Sequence, residues 1–144
     1  MTDLGIIIRL VMALALGGVI GLEREVHGRQ AGLRTHILVC LASALMMIVS
    51  IQMSSLGQGI DPSRIAAQVV SGIGFLGAGT ILRMGASVRG LTTAASLWTV
   101  AGIGLAVGAG FYTGALVTAT LTLVTLWVLH FIEKALKLKE PERM

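Results

Sequence analysis

Two carboxylates, Glu23 and Glu25, lie at the end of the first apolar run of this chain, and His27 follows them. Hard cations such as Mg²⁺ take oxygen ligands and keep several waters, so one or two carboxylates suffice to hold them. Residues two apart point to different sides of a helix, however, and nearby arginines repel a cation. The pattern therefore favours ion pairs that join helix ends, with a Mg²⁺ site at Glu23 and Glu25 as the alternative and no other cofactor.

Several more polar residues flank the ends of the apolar runs. The predicted topology places them at the same face of the membrane. Thr92 or Thr93 is expected to cap the fourth helix. Glu23 or Glu25 is expected to dock onto Arg34, onto Arg89 or onto that electropositive helix start. The members of this predicted polar cluster are Glu23, Arg24, Glu25, His27, Arg34, Thr35, His36, Arg83, Arg89, Thr92, Thr93 and Ser96.

The segment 68–83 is apolar enough for lipid, yet it contains Gln68, Ser71 and the glycines Gly72, Gly74, Gly77 and Gly79. Polar groups and bare backbone inside a membrane indicate either close helix packing or a transport path. Packing is favoured, because glycine clusters commonly serve it. The alternative is a broken helix, whose unwound backbone lines a path together with Gln68 and Ser71.

Other function classes find little support. Residues 72–77 match G-x-G-x-x-G, but no soluble strand precedes them and no acidic residue follows within about 20 positions, so a dinucleotide site is excluded. The net charge of +4 comes from basic residues that flank apolar runs, which indicates topology rather than nucleic-acid binding. No nucleophile, base and carboxylate are arranged as a triad, and we expect no enzymatic activity.

Three single residues stand out inside apolar runs. Arg9 is expected to snorkel to the outer interface or to pair locally, with a functional site as the alternative. Trp98 lies deeper than the interface and is expected to pack in the bundle, its indole N–H bonded to Ser96, Gln68 or a carbonyl. Cys40 is expected to be a small buried hydrophobe.

The composition indicates an integral membrane protein. Of 144 residues, 55% are hydrophobic and 12% charged, whereas soluble domains average about 25% charged residues. The pairs Gly17/Gly21 and Gly104/Gly108 form G-x-x-x-G motifs, which predict close helix crossings and also permit a homodimer. We therefore expect an all-α polytopic helix bundle in the lipid bilayer, with the first, third and fourth spans at its centre.

Five apolar runs are long enough to span a bilayer, at residues 4–22, 35–54, 65–82, 91–110 and 113–132. Lysine and arginine are concentrated in the first connection, the third connection and the tail. This places the N-terminus outside and the C-terminus in the cytoplasm. The predicted organisation is a transmembrane domain at 1–133 and a short basic tail at 134–144, which anionic lipid holds at the surface.

Four motifs in order, at residues 17–25, 32–36, 68–79 and 88–98, resemble the MgtC/SapB membrane domain over about residues 5–125. The resemblance implies a multi-pass protein of the bacterial inner membrane that is linked to magnesium homeostasis and to low-magnesium or acid adaptation. It also implies membrane-protein partners, with the F-type ATP synthase among them. The motif positions are Glu23, Arg24, Glu25, Arg34, Thr35, Gln68, Gly72, Gly74, Gly77, Gly79, Arg89, Gly90, Thr92, Thr93, Ser96 and Trp98.

Virulence-type members of this family carry a cytoplasmic ACT-like domain after the last span, whereas this chain continues for about 12 residues. It therefore resembles the short SapB-like form, for which the virulence and ATP-synthase roles have less support. Two functions stay open. One is a regulatory protein that acts through helix–helix contacts. The other is a transporter or channel for Mg²⁺, another cation or protons, with its path at the glycine-rich third span.

Overall fold

The computed structural model describes residues 1–55, 57 and 61–135, so most of the predicted tail lies outside the described residues. Within them the chain forms five helices and one short hairpin, which confirms the all-α class. The elements are α1 (Asp3–Val26), α2 (Leu33–Ser54), α3 (Ser63–Gly79), β1 (Leu82–Met84), β2 (Ser87–Arg89), α4 (Leu91–Ala109) and α5 (Tyr112–Ala135).

Three of the described helices, α1, α2 and α4, are long and apolar enough to cross a membrane. In α5 a shorter apolar stretch covers Tyr112–Val128. The 17 residues of α3 correspond to about 25 Å at the α-helical rise, somewhat less than the ~30 Å hydrocarbon core. The helix stops at Gly79, so the predicted third span is too long by three residues, and the chain turns into the hairpin instead.

The core lies where α1 and α4 both pack against α2 and also contact each other. A Cβ atom at Gly17 would lie 2.8 Å from the His36 carbonyl oxygen, and one at Gly21 would lie 2.8 Å from the Leu33 Cα. From α4, Cβ atoms at Gly104 and Gly108 would overlap carbonyl oxygens of α2. Both G-x-x-x-G motifs therefore make the predicted close crossings, and both make them with α2.

Small apolar residues fill the space between these three helices. Cys40 is fully buried there, as predicted. Both α1 and α4 meet the stripe of α2 that contains His36, Cys40 and Ala44, because positions four apart lie on the same helix face. The buried core cluster consists of Ala13, Ile20, Cys40, Ala44, Val100, Ile103, Val107, Ala115 and Ala119.

The prediction that α3 lies at the centre of the bundle is wrong. Its buried residues are Ile73 and Gly77, which share one face because they are four apart. Gly77 contacts Ala94 of α4, whereas Cβ atoms at Gly72, Gly74 and Gly79 would meet open space. The helix is also uninterrupted from Ser63 to Gly79, so the broken-helix interpretation is wrong as well.

The hairpin and the α1–α2 connection lie at the same end of the bundle. The Gln30 side-chain oxygen is 3.2 Å from the Cβ position of Gly90. Gly90 has φ +89° and serves as the N-cap of α4, and the Thr80 carbonyl oxygen occupies the space of any side chain there. The predicted capping of α4 by Thr92 or Thr93 is wrong, because both residues already lie inside the first turn.

Candidate functional site

The charged end of α1 contains a buried ion pair between neighbouring residues. Arg24 Nη2 donates to Glu23 Oε1 at 2.7 Å, and Arg24 Nε donates to the other carboxylate oxygen. His27 Nδ1 lies 3.2 Å from Glu23 Oε1. The Arg24 and Glu23 side chains are 3% and 11% exposed. Such a two-pronged contact holds the arginine and the carboxylate in one geometry, and it neutralises both charges locally.

Glu25 points to a different partner, the start of α2. Its carboxylate accepts a hydrogen bond from the Leu33 backbone N–H at 2.9 Å. The N-cap of α2 is Gly32, which has no side chain, and a Cβ there would overlap the Glu25 carboxylate. Glu25 therefore supplies the capping oxygen from α1, at the electropositive end of α2.

These contacts correct the predicted docking of the two carboxylates. Glu23 binds Arg24 and Glu25 binds the start of α2, whereas Arg34 and Arg89 are exposed. The physical reason is the short connection after His27, which folds the start of α2 back onto the end of α1. The part of the chain that the structure describes contains no group of three or more His, Cys, Asp or Glu side chains placed to hold a metal ion. The Mg²⁺ site at Glu23 and Glu25 stays a prediction.

A second polar contact is buried between α2 and α4. His36 is 0% and Ser96 3% exposed, and His36 Nε2 lies 3.0 Å from Ser96 Oγ. His36 Nδ1 lies 2.9 Å from the Gly32 carbonyl oxygen. The sequence placed His36 and Ser96 at one end of the bundle without joining them. His36, Cys40 and Ala44 are four residues apart, so they lie on one face of α2, and all three are buried. This spacing is the feature of the sequence that indicates an inward-facing His36.

Arg9 binds the C-terminal end of α4, the end away from Ser96. Its Nη1 donates to the Gly108 carbonyl oxygen at 2.5 Å. The last carbonyls of a helix have no partner within the helix, so they are natural acceptors for a cation. The Arg9 charge, which is costly inside a membrane, is thus satisfied by the bundle itself.

The remaining predicted site residues are spread over outer surfaces. Trp98 is 56% exposed, so the prediction that it packs inside the bundle is wrong. It lies on the outer side of α4, whose inner face is made of smaller residues. Thr93 is buried, whereas Thr92 and Thr35 are exposed.

Gln68 lines an open groove of about 580 Å³ between the end of α2 and the start of α3, together with Ser50, Asp61 and Arg64. Hydrogen bonds from the Ser63 backbone and side chain hold the pKa of Asp61 below its usual value. Ser71 is exposed on α3. The groove therefore presents a carboxylate, an amide and a guanidinium at the end of the bundle opposite the hairpin.

A second groove, of about 320 Å³, runs between α4 and α5. Hydroxyl groups from both helices dominate its polar lining. They come from positions three and four apart on each helix, which places them on the facing sides. The hydroxyl residues that line it are Thr92, Ser96, Thr99, Thr118, Thr122 and Thr125.

Comparison with known proteins finds close relatives. A family model described as the MgtC family matches residues 10–135. "Putative magnesium transporter YhiD" of Escherichia coli K12 is 50% identical over 129 residues, which cover 86% of this chain and 60% of YhiD. "Protein MgtC" of Salmonella typhimurium LT2 is 49% identical over 117 residues, which cover 81% of this chain and 49% of MgtC. No solved structure matches this chain. The chain spans about half to three-fifths of the length of these curated relatives.

Proposed function

Because the chain belongs to the MgtC family of membrane proteins, we propose that it is a non-enzymatic regulatory protein of the bacterial inner membrane, linked to magnesium homeostasis. It acts through contacts between its helices and those of other membrane proteins. The name of the Escherichia coli relative supports the link to magnesium. The basic end of the bundle, with the hairpin, faces the cytoplasm, since cytoplasmic loops carry an excess of lysine and arginine.

The observation that carries this proposal is the outward face of α3. Gly72, Gly74 and Gly79 face open space, and Gln68 and Ser71 are exposed beside them. In lipid, small residues let two helix backbones approach closely, and polar side chains form hydrogen bonds across the contact. An α3 that packs loosely within its own chain is therefore suited to a helix of a partner. A second copy of this chain and the F-type ATP synthase are the two partners that we propose to test.

A pair of matched variants tests this proposal. Gly74→Leu places a large side chain on the outward face of α3, whereas Gly102→Leu does so on α4, where a Cβ atom is equally free of contacts. Cross-linking and co-purification from native membranes should show that Gly74→Leu loses its partners and Gly102→Leu keeps them. Equal complex formation by both variants and the unmodified chain would overturn the proposal.

The second candidate function is a transporter for Mg²⁺ or another cation. It is favoured by the groove between α2 and α3, where Asp61 and Gln68 offer the oxygen ligands that hard cations take. Protein in liposomes with fluorescent Mg²⁺ and pH reporters would decide between the two. Flux that Asp61→Asn or Gln68→Leu abolishes would establish transport, and no flux across a range of gradients and potentials would exclude it.

A further inference from the structure

The buried contact between His36 and Ser96 has two consistent arrangements of its hydrogen atoms. The Gly32 carbonyl oxygen can only accept a hydrogen bond, so His36 Nδ1, which lies next to it, carries a proton. Ser96 Oγ lies 3.0 Å from His36 Nε2 and 2.9 Å from the Thr93 carbonyl oxygen. One hydroxyl hydrogen therefore has two acceptors within reach.

Each arrangement corresponds to one protonation state of the imidazole. With neutral His36, the Ser96 hydroxyl donates to Nε2. When Nε2 gains a proton, the new N–H donates to Ser96 Oγ, and the Ser96 hydrogen rotates to the Thr93 carbonyl. No heavy atom has to move, and each polar hydrogen has an acceptor in both states. This property matters because an unpaired donor or acceptor is costly in a protein interior.

The charged groups near His36 come from α1. They are Glu23 and Arg24, which form an ion pair with each other. The sequence of α4 contains no titratable residue, and that of α3 contains Arg64 alone, at the helix end away from the hairpin. On α2 itself the nearest charge, Arg34, is exposed. A proton on His36 therefore adds a positive charge to the interface of α1, α2 and α4, and hydrogen bonds rather than a free carboxylate hold it.

The groove between α4 and α5 gives a route to this pair. Ser96 lies at its inner wall, and threonine hydroxyls line the rest of its polar surface. Hydroxyl groups donate and accept, so they support ordered water between helices, and water conducts protons. The groove begins beside Thr92, in the first turn of α4, at the end of the bundle that holds the hairpin.

We propose that His36 and Ser96 form a proton-binding site that exchanges protons with solvent through the hydroxyl-lined groove between α4 and α5. The proton forms a bond to His36 Nε2 and is released by the reverse path. Protonation changes the charge inside the main helix interface, so the site makes the packing of α2 against α1 and α4 depend on proton concentration.

Nuclear magnetic resonance of ¹⁵N-histidine-labelled protein in lipid bilayers tests this site. A variant with His27→Gln and His130→Gln leaves His36 as the single histidine. The spectrum should change reversibly from the neutral tautomer protonated on Nδ1 to the imidazolium between about pH 8 and pH 4, the range over which imidazoles titrate. A His36 that stays in one protonation state over that whole range overturns the proposal.

Two buried serines provide the matched variants for the hydrogen-bond mechanism. Ser96→Ala removes the acceptor of the Nε2 proton, whereas Ser43→Ala removes a serine of similar burial on α2. Loss of a hydrogen bond to a charged group should lower the His36 midpoint by about one pH unit in Ser96→Ala. Ser43→Ala should leave the midpoint unchanged, and equal shifts in the two variants would contradict the mechanism.

Cysteine labelling tests the route. Thr122 lines the groove, whereas Thr120 does not, and both hydroxyls donate to the carbonyl four residues earlier on α5. Cys40, which is fully buried, serves as the unreactive reference. A water-soluble thiol reagent should modify Thr122→Cys about tenfold faster than Thr120→Cys, because the thiolate forms only where water reaches it. Modification of Thr122→Cys as slow as that of Cys40 would show that water does not enter the groove, and it would overturn this route to His36.

Discussion

Arg9 of α1 donates a hydrogen bond from Nη1 to the carbonyl oxygen of Gly108 in α4, at 2.5 Å and across 99 residues of sequence. At the end of α4, the Phe111 N–H bonds the Ala106 carbonyl at 2.8 Å and the Gly110 N–H bonds the Val107 carbonyl at 2.9 Å. The turn thus satisfies the carbonyls of Ala106 and Val107 and leaves that of Gly108 to Arg9. The arginine ties the first helix to the end of the fourth, at a point where the helix dipole is negative.

Arg9→Gln should destabilise the protein by about 2 kcal/mol, since a hydrogen bond to a charged group contributes roughly 1.5–3 kcal/mol. Reversible unfolding in mixed micelles measures the free energy of unfolding. Arg64→Gln is the control, because Arg64 is exposed, and we expect its effect to be within about 0.5 kcal/mol. If both variants unfold like the unmodified chain, the contact between Arg9 and Gly108 is not structural.

The class of the fold and the helix-packing motifs could be predicted from the sequence, because apolar runs and G-x-x-x-G pairs are local signals. The central position of α2 could not be predicted in this way, because α2 has no G-x-x-x-G pair of its own. It supplies the surface on which the glycines of α1 and α4 pack, and the four-residue spacing of His36, Cys40 and Ala44 is the sequence feature that marks this surface. The outward position of the α3 glycines could not be predicted either, because an exposed glycine and a packed glycine look alike in sequence.

The contacts at the charged end of α1 could be predicted only in part from the sequence. The sequence placed Glu23, Glu25 and their arginines together, but the partner of each carboxylate depends on how the α1–α2 connection turns. The left-handed conformation of Gly90, which makes it the N-cap of α4 two residues before Thr92, is equally invisible in a single sequence. The contact between His36 and Ser96 joins residues 60 positions apart and needs the packed helices to be seen.

Alanine at two glycines of α4 should have opposite effects. Gly104→Ala places a methyl group against the Cys40 carbonyl and the Ser43 side chain, whereas a Cβ at Gly102 meets no neighbour. Overpacking costs typically 1–3 kcal/mol, so Gly104→Ala should lower the free energy of unfolding by about 2 kcal/mol. Gly102→Ala should raise it by up to about 1 kcal/mol through helix propensity. Thermal unfolding of the two variants side by side checks the difference, and equal unfolding temperatures would contradict the packing of α4 on α2.

Glu25 should stabilise the start of α2 in two separable ways. Glu25→Ala removes both the capping oxygen and the charge, and it should cost about 1 kcal/mol, as loss of a helix cap does. Glu25→Gln keeps an oxygen that accepts from the Leu33 N–H and should cost less, roughly 0.3–1 kcal/mol for the charge at the helix end. Hydrogen exchange of the first amides of α2 is the direct measurement. Faster exchange in Glu25→Ala than in Glu25→Gln is expected, and unchanged exchange in both would exclude capping.

The ion pair of Glu23 and Arg24 gives the sharpest distinction between the predicted and the observed partners of Glu23. Arg24→Met leaves the Glu23 carboxylate in a largely buried position without its main partner. Breaking a buried pair costs about 3–5 kcal/mol, so the single variant should be strongly destabilised. The double variant Glu23→Gln with Arg24→Met removes the uncompensated charge and should recover most of that loss. Arg34→Met changes an exposed arginine and should be close to neutral. Additive losses in the double variant, or a large loss in Arg34→Met, would show that Glu23 pairs elsewhere.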